Sequence, residues 1–241
     1  LIFFFHNNPQ DIRGSKTIKE RIKILENTDK VFFVSLWTKK KFFEGLPYKT
    51  KSNCEILYPS IKKLKKFNYN KKNQIIFTGK LNSSKGYDLF GKAVIKILDK
   101  YLNWKAIAIG DEPREELEFN HKNLKKLGFK KHNYVMNLLK KVSICVVPSR
   151  WEEPFGRIAL EASSRGCALI VSNKGGLKEA TKHSIKLNQL TDQSVFNAIN
   201  KLIKYPDLMK KLQKDSLKNF ILTHQYISKK IDTYRNEITK T

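Results

Sequence analysis

The stretch SICVVPSRWEEPFGRIALE, Ser143 to Glu161, decides how the chain is read. SICVVPS, Ser143 to Ser149, is a short apolar run, the pattern of a strand in a parallel sheet covered on both faces. Arg157 to Arg165 has helical spacing. Between them Pro154 suits the first turn of a helix, where no N–H is needed, and Gly156 lets backbone approach a ligand closely. Glu153 falls just before this helix and Glu161 about two turns into it. One carboxylate can meet a group at the helix mouth and the other a group further along the same ligand. Carboxylates accept paired sugar hydroxyls, while a helix N-terminus takes phosphates. The plainer alternative is a capping acid and a half-buried acid paired to Arg157 or Arg165; for a lone Glu that alternative prevails.

Outward from this stretch the alternation is regular. QIIFTG (Gln74 to Gly79), WKAIAIG (Trp104 to Gly110) and CALIVS (Cys167 to Ser172) read as strands. Lys85 to Tyr101 reads as a helix with Leu89, Phe90, Ala93, Val94, Ile97 and Leu98 on one face. A helix over Leu117 to Leu127, a brief strand near Gly128-Phe129 and a helix over Tyr134 to Lys141 are also expected, with two or three helices closing the chain. Short apolar strands alternating with helices predict a parallel α/β sheet covered on both faces.

Toward the N-terminus, LIFFF, VFFVS (Val31 to Ser35) and CEILYPS (Cys54 to Ser60) read as strands. Helices are expected over Ser15 to Leu25, with Ser15 as N-cap, and over Thr38 to Leu46. The Lys- and Asn-rich run Lys62 to Lys72 has little apolar periodicity and is the expected domain boundary. Residue 1 is Leu, and an apolar strand there has no earlier strand to pair with; the sequence reads as an N-terminally truncated piece of a longer protein.

The 241 residues carry 48 basic and 22 acidic side chains, a net charge of +26. A field of that size attracts phosphates, anionic lipid or nucleic acid. An anionic membrane surface and a Lys-, Asn- and Ile-rich composition without functional meaning explain the charge equally well. Nucleic acid ranks third, without an RNP-type aromatic motif, zinc-finger spacing or basic zipper. No apolar run approaches the roughly 18–20 residues that span a bilayer, and LIFFF lacks the basic leader and cleavage site of a signal peptide. Cys54, Cys145 and Cys167 read as free buried thiols in a reducing cytosol. No Cys/His cluster has metal-ligand spacing.

Open parallel sheets bind ligands beyond the carboxyl ends of their strands. After QIIFTG comes Gly79-Lys80-Leu81-Asn82-Ser83-Ser84-Lys85-Gly86, a small-residue loop opening a helix. Its backbone N–H groups and two lysines could grip a diphosphate; alone it reads more readily as a turn with solvated lysines, and its glycine spacing fits neither a Walker A loop nor a dinucleotide fingerprint. After CALIVS comes Asn173-Lys174-Gly175-Gly176, a second phosphate-friendly turn that is weak alone. Three such loops at one end of one sheet strengthen the joint reading.

At these residues the sequence resembles glycosyltransferase family 4, the retaining group 1 glycosyl transferases of the GT-B fold. The family carries E-P-F-G-x-x-x-x-E-A, here Glu153-Pro154-Phe155-Gly156 and Glu161-Ala162. Gly79-Lys80 with Lys85-Gly86 resembles its G-[RK]-x₄-K-G element, and Gly175-Gly176 with Glu179 its G-x-x-E loop. The resemblance implies an incomplete Rossmann-like N-terminal, acceptor-side domain (1–65), a Rossmann-like nucleotide-sugar domain (66–220) and a C-terminal helix returning to the first domain (221–241). It implies that Lys80 and Lys85 bind the donor diphosphate and that Glu161 holds the ribose hydroxyls. Glu153, with the backbone of Pro154, Phe155 and Gly156, would hold the donor sugar and phosphate, orienting the sugar for same-face attack. The base would lie near Gly128, Phe129 and Lys130, and His6 would face the donor sugar, though a plain strand-end histidine explains His6 equally well. Gly79, Gly86, Gly175 and Gly176 would shape the donor loops. No cofactor or bound metal is expected, and no Asp-x-Asp element is present.

The expected activity is therefore transfer of a sugar from a nucleotide-sugar to a glycan or lipid-linked acceptor, of the kind used in cell-envelope or lipopolysaccharide-type synthesis. The expected location is the cytoplasm, peripheral on the inner face of the membrane. An epimerase or phosphorylase of the same fold is disfavoured by the E-P-F-G-x₄-E spacing. The alternative from another class is a basic, non-catalytic membrane- or nucleic-acid-binding module with a degenerate GT-B fold.

Overall fold

A computed structural model describes residues 1–64 and 70–238. They form two compact units, one of residues 1–62, 153–155 and 221–238, the other of residues 63–64, 70–152 and 156–220. The division falls at Lys62/Lys63; of the Lys-rich run Lys62 to Lys72, residues 65–69 lie outside the described residues.

In the first unit, β1 (Ile2–Phe5), β2 (Lys30–Phe33) and β3 (Cys54–Ile56) form a parallel sheet in the order β1-β2-β3. Successive side chains of a strand face opposite sides, and β2 uses both. Val31 and Phe33 pack with Phe5, Leu25, Phe42 and Phe43 on one side; Phe32 packs with Leu57, Ile227 and Tyr234 on the other. Helices α1 (Ile18–Glu26) and α2 (Leu36–Phe43) supply the first set, and the C-terminal helix α9 (His224–Ile238) the second. Both faces being covered, β2 reads as an unbroken apolar run rather than an alternating one.

The helix starts differ from expectation. Thr17, not Ser15, caps α1: its hydroxyl accepts the Glu20 N–H at 3.2 Å, and the Glu20 carboxylate accepts the Thr17 N–H at 2.8 Å. This reciprocal box satisfies two otherwise orphaned donors, whereas the Ser15 hydroxyl donates to the Pro9 carbonyl. Ser35 caps α2, accepting the Thr38 N–H at 3.0 Å, so that helix runs Leu36–Phe43 instead of 38–46.

The second unit holds β4 (Lys72–Thr78), α3 (Tyr87–Lys100), β5 (Lys105–Ile109), β6 (Leu124–Lys126), α4 (His132–Leu139), β7 (Val142–Val147), α5 (Arg157–Ser163), β8 (Ala168–Ser172), α6 (Leu177–Ala180), β9 (Ser184–Leu187), α7 (Asp192–Lys204) and α8 (Pro206–Lys218). All pairings are parallel, in the order β6-β5-β4-β7-β8-β9. The first strand of the unit is thus central and flanked by the second and the fourth, the doubly wound order in which a crevice opens where the winding reverses. That reversal lies between β4 and β7.

The helix expected over 117–127 does not form. Leu117 and Phe119, two residues apart, both turn toward the core, a spacing that suits extended chain rather than helix. Phe119 lies where a side chain at Gly91 would be and meets Tyr87 edge-on. Leu124 then pairs with Ala106, so the strand is Leu124–Lys126 and Gly128-Phe129 belongs to the loop beyond it. The edge strand β9 lacks a continuous apolar run in the sequence, since SIKL buries little besides Leu187.

Candidate functional site

The site is built at the carboxyl edge of the six-stranded sheet. After β4 the chain runs Gly79 to Gly86, anchored by buried Leu81. Asn82 shapes the turn: its side-chain oxygen accepts the Lys85 N–H at 3.0 Å. Gly86 opens α3 at φ +75°, a left-handed conformation, and a Cβ there would overlap the Pro148 carbonyl oxygen. Only glycine lets these two chains meet so closely.

That approach is part of a clamp between the loops after β4 and β7, the two strands that flank the reversal. The Arg150 and Trp151 N–H groups donate to the Ser84 carbonyl at 2.9 and 3.1 Å. The Arg150 guanidinium donates to the Ser83 carbonyl and to both Asp88 carboxylate oxygens. Lys85 Nζ lies 4.3 Å from the centroid of the Trp151 ring, a cation–π distance.

Lys80 Nζ stands 3.8 Å from Glu112 of the loop after β5. Glu112 is held by two Arg114 bonds of 2.7 and 2.9 Å and by the Asn82 side-chain amide at 3.2 Å. The Arg114 bonds drive its carboxyl down to about 2, against an opposing push from burial. Glu115 accepts from the backbone and hydroxyl of Ser83. The lysine loop is therefore braced on one side by acids and on the other by Arg150.

Glu161 lies on α5 and is 8% exposed. Its Oε1 is 3.2 Å from His132 Nε2, at the start of α4, and 3.8 Å from the Arg157 guanidinium one turn earlier. Gly156 precedes α5 at φ +89°, and a Cβ there would overlap the Leu177 side chain. Its requirement is thus met inside the unit, by backbone conformation and by packing against α6. Gly175 and Gly176 form the turn after β8 that delivers Leu177. Gly128 accepts the Gly110 N–H at 3.0 Å, Phe129 beside it is 72% exposed, and Lys130 approaches the Tyr134 ring.

The loops of Gly79, Lys80, Lys85, Gly86, Gly175 and Gly176 thus follow β4 and β8, and the helix of Glu161 follows β7, of one sheet. Glu153, Pro154 and Phe155 belong to the first unit. There the Pro154 carbonyl accepts the Thr38 hydroxyl at 3.3 Å, and the buried Phe155 ring packs on Tyr58. Pro154 does not begin the helix as expected: α5 starts at Arg157, after the left-handed Gly156. His6, also of the first unit, follows β1 and stacks on Phe4.

Sequence reasoning passed over Glu112, Arg114, Arg150, Asp88 and His132. Glu112 does carry a sequence signal: it follows β5 as the other site loops follow β4 and β8. His132 carries none, because nothing local marks its partner. Among the described residues no group of three or more His, Cys, Asp or Glu could hold a metal ion.

Residues 60–219 match the family model described as glycosyl transferases group 1. An uncharacterized glycosyltransferase of Methanocaldococcus jannaschii is 36% identical over 118 residues, covering 46% of this chain and 30% of that protein. The putative glycosyltransferase YtcC of Bacillus subtilis is 25% identical over 195 residues, covering 73% of this chain and 48% of that protein. The chain thus spans about half or less of these relatives' length. Among solved structures, Anabaena Alr3699/HepE in complex with UDP superposes with a TM-score of 0.83 at 15% identity, over 98% of this chain and 72% of that one. The fold is GT-B.

Proposed function

The chain belongs to the group 1 glycosyl transferases, and from that premise we propose that it carries the donor site of a retaining, metal-independent transferase acting on a nucleotide-sugar and a glycan or lipid-linked acceptor. The observation that carries the reading is the clamped lysine loop at the β4/β7 reversal, with Glu161 on the helix after β7. Lys80 and Lys85 bind the diphosphate and offset the charge that grows on the departing phosphate. At about 4 Å each contributes from ~1 kcal/mol in water to ~4 kcal/mol in a partly enclosed site, so the pair does electrostatic work that a metal would otherwise do. Glu161 accepts the ribose hydroxyls. His6 and Glu153 take from the family resemblance their roles toward the donor sugar, as Phe129 and Lys130 do toward the base. The anomeric C–O bond to phosphate breaks, the acceptor oxygen bonds to the same face, and its proton leaves with the nucleoside diphosphate. The UDP bound by Anabaena HepE makes UDP the first donor nucleotide to try.

The membrane reading draws support from the net charge of +26. The basic helix α2 supports it less than its sequence suggests. Lys39 donates to the Cys54 carbonyl at 2.7 Å and Lys41 pairs with Glu44 at 3.0 Å, leaving Lys40 the outward lysine of the three. No helix among the described residues is long and apolar enough to cross a membrane.

The test is thermal stabilisation by UDP-, GDP- and ADP-sugars, with Lys85→Ala and Glu161→Ala as controls. At least one donor should stabilise the chain and both variants should abolish the shift. Stabilisation that survives both substitutions overturns the site. Product anomers read by NMR test retention, activity in excess chelator tests metal independence, and co-sedimentation with anionic against neutral liposomes tests the membrane surface.

A further inference from the structure

We propose that His132 is a positioning residue for the donor ribose, holding the Glu161 carboxylate in the orientation that receives two vicinal hydroxyls. The inference rests on the donor-site reading and adds a residue that the motif does not contain. His132 opens α4 and Glu161 lies on α5, which packs beside it in the same unit. Their contact is 3.2 Å, from Nε2 to Oε1.

Three features favour a functional contact. First, the His132 side chain is 55% exposed, so it is not filling the core, while the Glu161 side chain is only 11% exposed. An exposed imidazole thus reaches an enclosed acid at the carboxyl edge of the sheet. Second, the bond engages Oε1 and leaves Oε2 for a ligand; an ionised carboxylate has about four acceptor positions. Third, the competing cations are badly placed to do the same job. Arg157 sits one turn earlier on Glu161's own helix, 3.8 Å away, with a side chain 76% exposed. Buried Arg165 also acts on Glu161 through its charge, but it donates hydrogen bonds to Ser164. Without His132, Arg157 draws the carboxylate along its own helix, away from α4. The fixed imidazole counters that pull from another element, and a carboxylate held from two directions loses less freedom when a diol binds.

The experiment measures dissociation constants of UDP, ADP and GDP and of their 2′-deoxy counterparts for the full chain and for His132→Ala, His132→Gln, Glu161→Ala and Lys85→Ala. Expected is a five- to tenfold loss of ribonucleotide affinity in His132→Ala, partial recovery in His132→Gln, whose amide can donate to the same oxygen, and less than a twofold loss for the 2′-deoxy compound. In turnover, KM for the donor should rise with kcat within twofold. Equal weakening of ribo and 2′-deoxy nucleotides, or no weakening, overturns the proposal. Failure of the underlying reading looks different: Glu161→Ala then leaves the ribo/deoxy preference intact, or no nucleotide binds at all, and the role of His132 falls with it. Lys85→Ala should weaken both sugar forms alike, because its contact is with the diphosphate.

Discussion

Arg150 grips Asp88 through two N–H···O bonds of 2.6 and 2.7 Å, and the same guanidinium donates to the Ser83 carbonyl at 2.5 Å. One side chain thus joins the loop after β7 to the loop after β4 and to the first turn of α3. Burial works to raise the Asp88 carboxyl, and the Arg150 bonds outweigh it, holding it below its usual range. Breaking a buried pair costs about 3–5 kcal/mol. Here the Arg150 side chain is 36% exposed, so Arg150→Met is expected to cost about 1–3 kcal/mol in urea denaturation. Asp88→Asn should cost a similar amount and the double variant less than the sum. Strict additivity would show that the pair is not coupled.

Gly86→Ala and Gly14→Ala separate strain from crowding. Both glycines have positive φ, but a Cβ at Gly14 meets nothing within 4 Å while one at Gly86 overlaps Pro148. Gly14→Ala should cost the left-handed penalty alone, about 1–2 kcal/mol. Gly86→Ala should add roughly 1–3 kcal/mol of overpacking and weaken nucleotide binding through the displaced lysine loop. Equal losses in the two variants would show that the close approach to β7 carries no energy.

The Glu112–Arg114 pair predicts a pH dependence. The folded-state carboxyl titrates at about 2, below the roughly 4.3 of an unfolded Glu. Its stabilisation is therefore complete above about pH 4.3 and is lost as the pH falls toward 2. Arg114→Gln should be less stable than the parent at pH 6, and the difference should shrink between pH 4.3 and 2. A difference that stays constant with pH would remove Glu112 as its source.

Thiol reactivity tests the core. Burial pushes the Cys54 thiol up to about 11 and raises Cys145 and Cys167 as well. With thiolate scarce and access closed, none of the three should react with an aromatic disulfide reagent within minutes at pH 8, and all three should react in guanidinium. Fast labelling of the native chain at Cys145 or Cys167 would contradict the packing of β7 and β8.

Much of the fold was legible because its signals are local. The all-buried run of Val142–Val147 and the apolar face of α3 record burial residue by residue, and the loops after β4 and β8 carry their own glycines and lysines. The segment 117–127 misled because its Leu and Phe positions also suit extended chain. Helix starts were missed by a residue or two, since Ser15, Thr17 and Ser35 are all competent caps and only the geometry shows which N–H each accepts.

From the sequence alone came the alternation of strand and helix, the parallel α/β class, the loops rich in glycine and lysine and the spacing of Glu153 and Glu161. The tertiary structure alone decided which loops are neighbours. It placed β4 between β5 and β7, so that Arg150 meets Asp88 and Ser83. It brought His132 to Glu161 across 29 residues and Asn82 to Glu112 across 30, and it assigned Glu153–Phe155 to one unit and Gly156 to the other. Strand order is settled by backbone pairing between distant segments, and such pairing leaves no periodicity in the residues that make it.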